Sequence, residues 1–510
     1  MLITGISWAW ALATPYFDGP DEGSHILRAY AVVSGDFVPP TSPNMPGASP
    51  VRAPGPLALG FYPGCLIGHY EATPDCVLAT ASRDRGMVEA ITTAGRYPPL
   101  YYAIVGAPLK ILHGTLSSVM LTRLLSGLIC GLFLASAVAS ASQSRHRPLM
   151  LAGLVVAVTP QVIFTNAVVN PSALEISAAI GFWTAGIVVL TERGGRYDAR
   201  IVARMGVAGI GLVSAKTSGP AFLLILVLVL LVLAPPRRII EVVKAKLTLV
   251  WGALGGLASV GAVLWIVLVR PNPVVGDALG PEFTTARIIR LSIGSWDAWT
   301  RQMVGNFGWN DLPAPQFTFY VWLLLIGALL IGAAVVCRVR DGIGLALLVA
   351  IVFVLPVAES TVIARSIGFF YQGRYTLPLA VGLPLLAALA LGKRLIGCSL
   401  QRRLLAVVAT LAATAHFVAY VYAMHRYTVG QSGPLMFWRH PIWSPAVPPA
   451  ILSLTMLVLL GLAVVLVIKQ GGSALGSCST GSAVSMATAS TSATPLTDST
   501  SASKTSSGSR

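Results

Sequence analysis

Leu2-Ile3-Thr4-Gly5-Ile6-Ser7-Trp8-Ala9-Trp10-Ala11-Leu12-Ala13-Thr14 runs directly into Pro15-Tyr16-Phe17-Asp18-Gly19-Pro20-Asp21-Glu22-Gly23-Ser24-His25. An uncharged apolar stretch is thus followed by three carboxylates and an imidazole crowded into eight residues. Further apolar runs, most near the roughly 17–25 residues of a helical membrane crossing, span Val119–Ser140, Leu149–Ala167, Ala173–Leu190, Ile201–Val213, Ala221–Ala234 and Leu247–Val269. They continue at Phe319–Cys337, Ile343–Val357, Leu377–Leu391, Leu404–Met424 and Ile451–Ile468. Leu2–Thr14, Ile201–Val213 and Ala221–Ala234 are the short members of this set. With no basic residue before it and no cleavage site after it, Leu2–Thr14 is read as an uncleaved first span.

Composition agrees with this reading. Of 510 residues 55% are apolar and 11% charged, with mean hydropathy +0.76. A soluble protein carries about 25% charged residues, so a cytosolic enzyme is excluded. The net charge of +16 invites nucleic acid as a partner. The placement of the basic residues removes that reading, because most lie in short loops between apolar runs.

Those loops orient the chain. Arg145/Arg147, Arg193/Arg196/Arg200/Arg204, Arg237/Arg238/Lys244/Lys246, Arg338/Arg340 and Lys393/Arg394/Arg402/Arg403 face only Glu192, Asp198, Glu241 and Asp341. The positive-inside rule assigns all five loops to the cytoplasm. The twelve spans then alternate without contradiction, with 11 to 13 as the range and both termini inside. Pro98–His113 must not cross; it reads as a surface helix whose Tyr101–Tyr102 pair belongs to the interfacial belt. The expected fold is all-α and integral to the plasma membrane. Residues 1–470 form one polytopic domain with long extracytoplasmic loops at 15–118 and 270–318. Residues 471–510, rich in Ser, Thr, Ala and Gly, form a disordered cytoplasmic tail.

Thirteen of the nineteen acids fall on the outer side of this map, so the chemistry is sought there. With Pro20 setting up the helix start, Asp21 and Glu22 enter its first turn, and Asp21 and His25 are i,i+4 neighbours. A carboxylate beside an imidazole acts as a general base or holds a divalent cation. The plain alternative is an acid-capped surface helix. Asn306-Phe307-Gly308-Trp309-Asn310-Asp311 suggests a tight turn presenting Trp309 and Asp311 to a sugar, or Trp309 to the interfacial belt. Tyr371-Gln372-Gly373-Arg374-Tyr375 places a guanidinium at headgroup height, where its fork suits a phosphate; a headgroup-snorkelling arginine is the alternative. Lys216, at a short outer turn, holds a phosphate or anchors the turn. Glu175, about one turn into a span beyond Asn170-Pro171-Ser172, needs a partner. Cys65 and Cys76 either bridge in an oxidising exterior or remain free thiols; the other four cysteines lack metal-ligand spacing. No Walker A, HExxH, GxSxG or paired CxxC motif is present, which excludes an ATP-driven pump and a soluble-type hydrolase.

Taken in order, Pro20-Asp21-Glu22 with His25, Arg28-Ala29-Tyr30, Tyr97-Pro98-Pro99-Leu100-Tyr101, Asn170-Pro171, Gly308-Trp309 and Gln372-Gly373-Arg374-Tyr375 resemble a bacterial family of polytopic membrane proteins. This is domain-of-unknown-function family 2142, and the likeness runs from about residue 8 to 468. Ser172 departs from it, since an Asp is expected after Asn-Pro. The family in turn resembles the GT-C glycosyltransferases, which take a sugar from a polyprenyl-phosphate carrier on the outer face. That resemblance implies an inverting transfer to a cell-envelope glycan acceptor. The resemblance supports Asp21 foremost and Glu22 next as catalytic; His25 beside them, and Arg28, Lys216, Trp309, Asp311, Arg374 and Tyr375 as substrate ligands, are candidates from the residues themselves. Asp21 and Glu22 would be the ligands if a divalent metal takes part. The rival readings are a flippase for a lipid-linked saccharide, which tends to carry midplane polar residues and inverted repeats, and a non-catalytic envelope-assembly protein.

Overall fold

A computed structural model describes residues 1–45, 47–58, 64–77, 86–191, 198–270, 278–395 and 397–472. Most of the expected tail, with Cys478, and the basic-loop residues Glu192, Arg193 and Arg196 lie outside these.

Each of the twelve apolar runs carries helix. In chain order the helices are α1 (Leu2–Ala13), α2 (Glu22–Val33), α3 (Pro99–Val105), α4 (Ala107–Ile111), α5 (Leu116–Ala141), α6 (Arg147–Ala157), α7 (Pro160–Asn166) and α8 (Pro171–Thr191). They continue as α9 (Ala199–Ala215), α10 (Gly219–Leu233), α11 (Pro236–Lys244), α12 (Lys246–Val269), α13 (Thr285–Gly294) and α14 (Trp296–Val304). Last come α15 (Gln316–Val336), α16 (Val339–Ile367), α17 (Gly382–Gly392), α18 (Cys398–Val429) and α19 (Pro449–Gly472). Two small antiparallel two-stranded sheets lie among them: β1 (Ser49–Pro54) with β2 (Met87–Thr92), and β3 (Asn306–Phe307) with β4 (Leu312–Pro313).

Among the described residues seven helices, α5, α8, α12, α15, α16, α18 and α19, are long and apolar enough to cross a membrane. An eighth span results if α6 and α7 count as one; they meet at a 66° bend. The bend lies at Thr159-Pro160, where the Thr159 hydroxyl caps α7 and proline removes a backbone donor. Length and composition thus pick out seven or eight of the expected twelve spans; among the shorter apolar helices, α1 has 12 residues, a rise of about 18 Å against a hydrocarbon core of about 30 Å.

α8 is buried along essentially its whole length, whereas α12, equally apolar, buries no residue. α8 is therefore the axis of the bundle and α12 meets lipid. Pro98–His113 forms the short α3 and α4, neither long enough to cross. Tyr101 and Tyr102 are not belt residues, however. They are 1% and 0% exposed, their hydroxyls bonded to Ser126 and His25 at 2.9 Å. Packing against α2 and α5 gives those hydroxyls protein partners in place of interfacial water.

Candidate functional site

The α1–α2 connection is shaped by two residues in the left-handed region, Phe17 (φ 64°) and Asp21 (φ 60°). Asp21 is not in the first turn of α2 but is its N-cap, without a side-chain cap bond. That conformation turns the carboxylate away from the helix, where Arg374 binds its Oδ2. Arg374 sits in a 3-10 turn, Gly373–Tyr375, just before α17. A Cβ at Gly373 would collide with the Trp299 carbonyl, so only glycine lets this turn press against α14. Two amides brace it: Gln302 Oε1 accepts from the Gly373 N–H at 2.6 Å, and Asn310 Nδ2 donates to Gln372 Oε1 at 2.6 Å.

The Arg374 side chain is 2% exposed and that of Asp21 37%. Only Nη2 of the guanidinium has partners, Asp21 and the Tyr375 hydroxyl (3.4 Å). Nε and Nη1 are buried with no acceptor. Tyr375 joins the two expected phosphate ligands: its ring centre lies 5.1 Å from the Arg374 guanidinium and 4.4 Å from Lys216 Nζ, a double cation–π arrangement. Lys216 also donates to Ser172 Oγ at 3.3 Å and stands 3.9 Å from Glu175. Burial lowers the pKa of its amine, and Glu175 opposes that shift. Ser172, where the resemblance expects an acid, thus serves the lysine as acceptor. Glu175 has the partner its position demanded, since Ser218 donates to it at 2.5 Å.

The other expected site residues face elsewhere. Glu22 is fully buried against Arg123 of α5. Arg123 spends all five guanidinium N–H groups: Nε and Nη2 on Glu22 (2.7 and 2.5 Å), Nη1 on the Ala11 and Thr14 carbonyls, and Nη2 also on Pro15. The Val169 N–H also donates to Glu22 at 3.0 Å. His25 points its Nδ1 at Tyr102, and burial pulls its pKa down to about 3. It is therefore a neutral imidazole. Arg28 donates to the Asp36, Phe37 and Tyr97 carbonyls and pins the start of the first loop. Trp309 Nε1 donates to the Phe17 carbonyl at 3.0 Å. Asp311 accepts from the Trp309 and Gly68 N–H groups at 3.1 Å each. Trp309 thus braces the α1–α2 loop, Asp311 ties its own turn to the bridged first loop, and Asn310 between them bonds Gln372 beside Arg374. Cys65 and Cys76 are bridged, and Arg426 of α18 holds the carbonyls of Leu66, His69 and Ala72 inside that bridged loop.

A metal does not fit this arrangement. Asp21, Glu22 and His25 point at Arg374, Arg123 and Tyr102, and no group of three or more His, Cys, Asp or Glu among the described residues is placed to hold a cation. The set brought together is Asp21, Arg374, Tyr375 and Lys216, with Glu175 behind.

Sequence reasoning missed three residues. Arg123 lies inside a predicted span, where a charge is itself a signal. Glu359 of α16 lies within electrostatic reach of Lys216; its signal was isolation, since the next acid after it is Asp498. Gln302, which braces Gly373, gave no signal.

No curated protein matches the chain. Among solved structures it is similar to ArnT from Cupriavidus metallidurans bound to undecaprenyl phosphate. That match has 16% identity and a TM-score of 0.42, covering 92% of this chain and 76% of that one. The apo state of the same protein matches at 15% identity and a TM-score of 0.41, with 91% and 75% covered. The model of a family described as predicted membrane proteins, domain-of-unknown-function family 2142, matches residues 4–383, and the chain belongs to that family.

Proposed function

We propose that the protein is a GT-C-type glycosyltransferase of the plasma membrane, moving a sugar from a polyprenyl-phosphate carrier to an envelope glycan acceptor on the extracytoplasmic face. The observation that carries this reading is the Asp21–Arg374 pair: a part-exposed carboxylate held by a buried guanidinium that keeps three N–H donors without acceptors. Leaving buried donors unpaired costs about 1–3 kcal/mol each. The phosphodiester of a carrier-linked sugar takes Nη1 together with Nη2 in the fork geometry that arginine favours, with Lys216 as a second cation.

The phosphate competes with Asp21 for Arg374 and so releases the carboxylate as it binds. Asp21 then takes the proton from the acceptor hydroxyl as its oxygen bonds to the anomeric carbon. The bond from that carbon to the phosphate oxygen breaks, its electron pair leaves with the carrier phosphate, and the anomeric configuration inverts. The basic loops Arg237–Lys246 and Lys393–Arg403 support an outward site by the positive-inside rule.

The test uses purified protein in liposomes with a polyprenyl-phosphate sugar and a glycan acceptor. Wild type should form the glycosidic product and Asp21→Asn should not. Movement of the lipid across the bilayer without product would assign a flippase and end the transferase reading.

A further inference from the structure

The segment between α18 and α19, residues 430–448, has two apolar faces. Inward go Phe437 and Trp443, 1% and 8% exposed. The Phe437 ring meets His425 edge-on at 5.7 Å, and the Ile442 and Trp443 N–H groups both donate to the Thr428 carbonyl at 3.0 Å. These contacts fold the segment back onto the end of α18. Outward go Leu435, Met436, Trp438 and Ile442, 87%, 52%, 45% and 66% exposed, beside the exposed Arg439 and His440. Water does not favour so apolar an outer face.

The height of this tip follows from the two helices. Gly471 of α19 lies against Leu405 of α18, and further along Ala409, Ala412 and His416 line one cavity with Val467, Val464 and Leu460. Each step along α18 is matched by an equal step back along α19, and the same antiparallel register carried on sets Pro449 level with Tyr427. At about 1.5 Å per residue that level is about 33 Å from the Leu405–Gly471 contact, close to the thickness of a hydrocarbon core. Arg402, Arg403 and Lys469 mark the opposite, cytoplasmic end. The segment therefore leaves and rejoins the bundle at one height, that of the outer membrane surface. There α19 presents Ile451 and Leu454, 54% and 62% exposed, so the tip continues a lipid-facing surface.

We propose that the Leu435–Ile442 tip is a membrane-docking element seated in the outer leaflet, at the boundary between headgroups and acyl chains. Leu435, Met436 and Ile442 enter the acyl region, Trp438 lies at the interface and Arg439 meets the lipid phosphates. Docking also reaches the first outer loop. At the root of the tip the Ser432 hydroxyl donates to Glu71 at 2.7 Å, and the Gln431 N–H donates to the Tyr70 carbonyl at 3.0 Å. The seated tip thus holds the Cys65–Cys76 loop at membrane height, whether or not the protein transfers a sugar.

The test uses the full chain in nanodiscs, carrying Cys337→Ser, Cys398→Ser and Cys478→Ser; the Cys65–Cys76 bridge and the buried Cys130 remain. A bimane is attached in turn at Leu435→Cys, Ile442→Cys and Gln431→Cys, positions whose exposure spares the fold. At 435 and 442 a nitroxide near the head of the lipid acyl chain should quench about half the emission or more, as for an apolar face about 5–10 Å into the bilayer. Aqueous iodide should quench these two labels little, and at 431 the order should reverse. Iodide quenching at 435 and 442 equal to that at 431 would overturn the docking. Protection of both labels from both quenchers would overturn it too, and would assign the tip to a second copy or another protein.

Discussion

Glu22 and Asp21 are neighbours in sequence, and each is held by an arginine, yet the two pairs are opposites. Glu22 and Arg123 are 0% exposed and mutually saturated, with every guanidinium donor used and a backbone N–H added to the carboxylate. Asp21 keeps 37% of its side chain exposed, and its arginine keeps Nε and Nη1 unpaired. A saturated pair has nothing left to offer a ligand. The unsaturated pair has donors in reserve and a carboxylate within reach of solvent. The first fastens α5 to the ends of α1 and α2; the second is poised to exchange partners.

The largest effect should come from breaking the saturated pair. Arg123→Ala leaves a buried carboxylate and three carbonyls without their donor, at a cost of about 3–5 kcal/mol. The variant should fail to accumulate as folded protein in membranes. The double change Glu22→Leu with Arg123→Leu removes both charges and should recover part of the loss, read from thermal melting in nanodiscs. A folded, fully stable Arg123→Ala protein would contradict the contrast.

Asp21→Asn should do the reverse. Its melting should stay within about 1 kcal/mol of wild type, as befits a part-exposed pair, while sugar transfer falls by about 10²–10⁴-fold with loss of the general base. Smaller again is Arg374→Lys, which keeps the charge opposite Asp21 but loses the fork. The KM for the lipid donor should rise about ten-fold with kcat less affected. A fall in kcat with KM unchanged would make Arg374 a transition-state group instead of a carrier ligand.

The contrast also marks how far the sequence could be read. Acids are so scarce in this chain that the Asp18–His25 cluster and Arg374 stood out, and the structure brings Asp21, Arg374, Tyr375 and Lys216 together. What separates Asp21 from Glu22 could not be read locally, because it depends on an arginine 101 residues away and on a left-handed backbone at Asp21. Arg123 was nonetheless visible as a charge inside an apolar run. Gly308 and Pro313 suggest a turn presenting Trp309 and Asp311 to a sugar, or Trp309 to the interfacial belt; in the fold their polar atoms hold the Phe17 carbonyl and the Gly68 N–H. Runs of apolar residues located the helices well but do not by themselves separate their settings, since the same composition serves a buried axis such as α8, a lipid-facing helix such as α12 and short helices such as α1.

Asp18, the third acid of the opening cluster, sharpens the comparison because no arginine bonds to it. It is 3% exposed, its Oδ2 has no partner, and burial pushes its pKa up to about 7. Tyr427, Asp311, Arg426 and Arg123 surround it; the tyrosine and the arginines oppose the rise, while Asp311 adds to it. Folding therefore favours the protonated acid. Between about pH 4 and pH 7 the native state binds a proton that the unfolded chain has released, so stability falls as pH rises through this window and levels off above it. Asp18→Asn fixes the neutral form and should flatten that slope, with the melting temperatures of variant and wild type converging toward pH 4 and parting toward pH 8. Identical slopes would mean that Asp18 is ionised in the native state and has a cation partner after all, placing it with Glu22 and not apart from both neighbours.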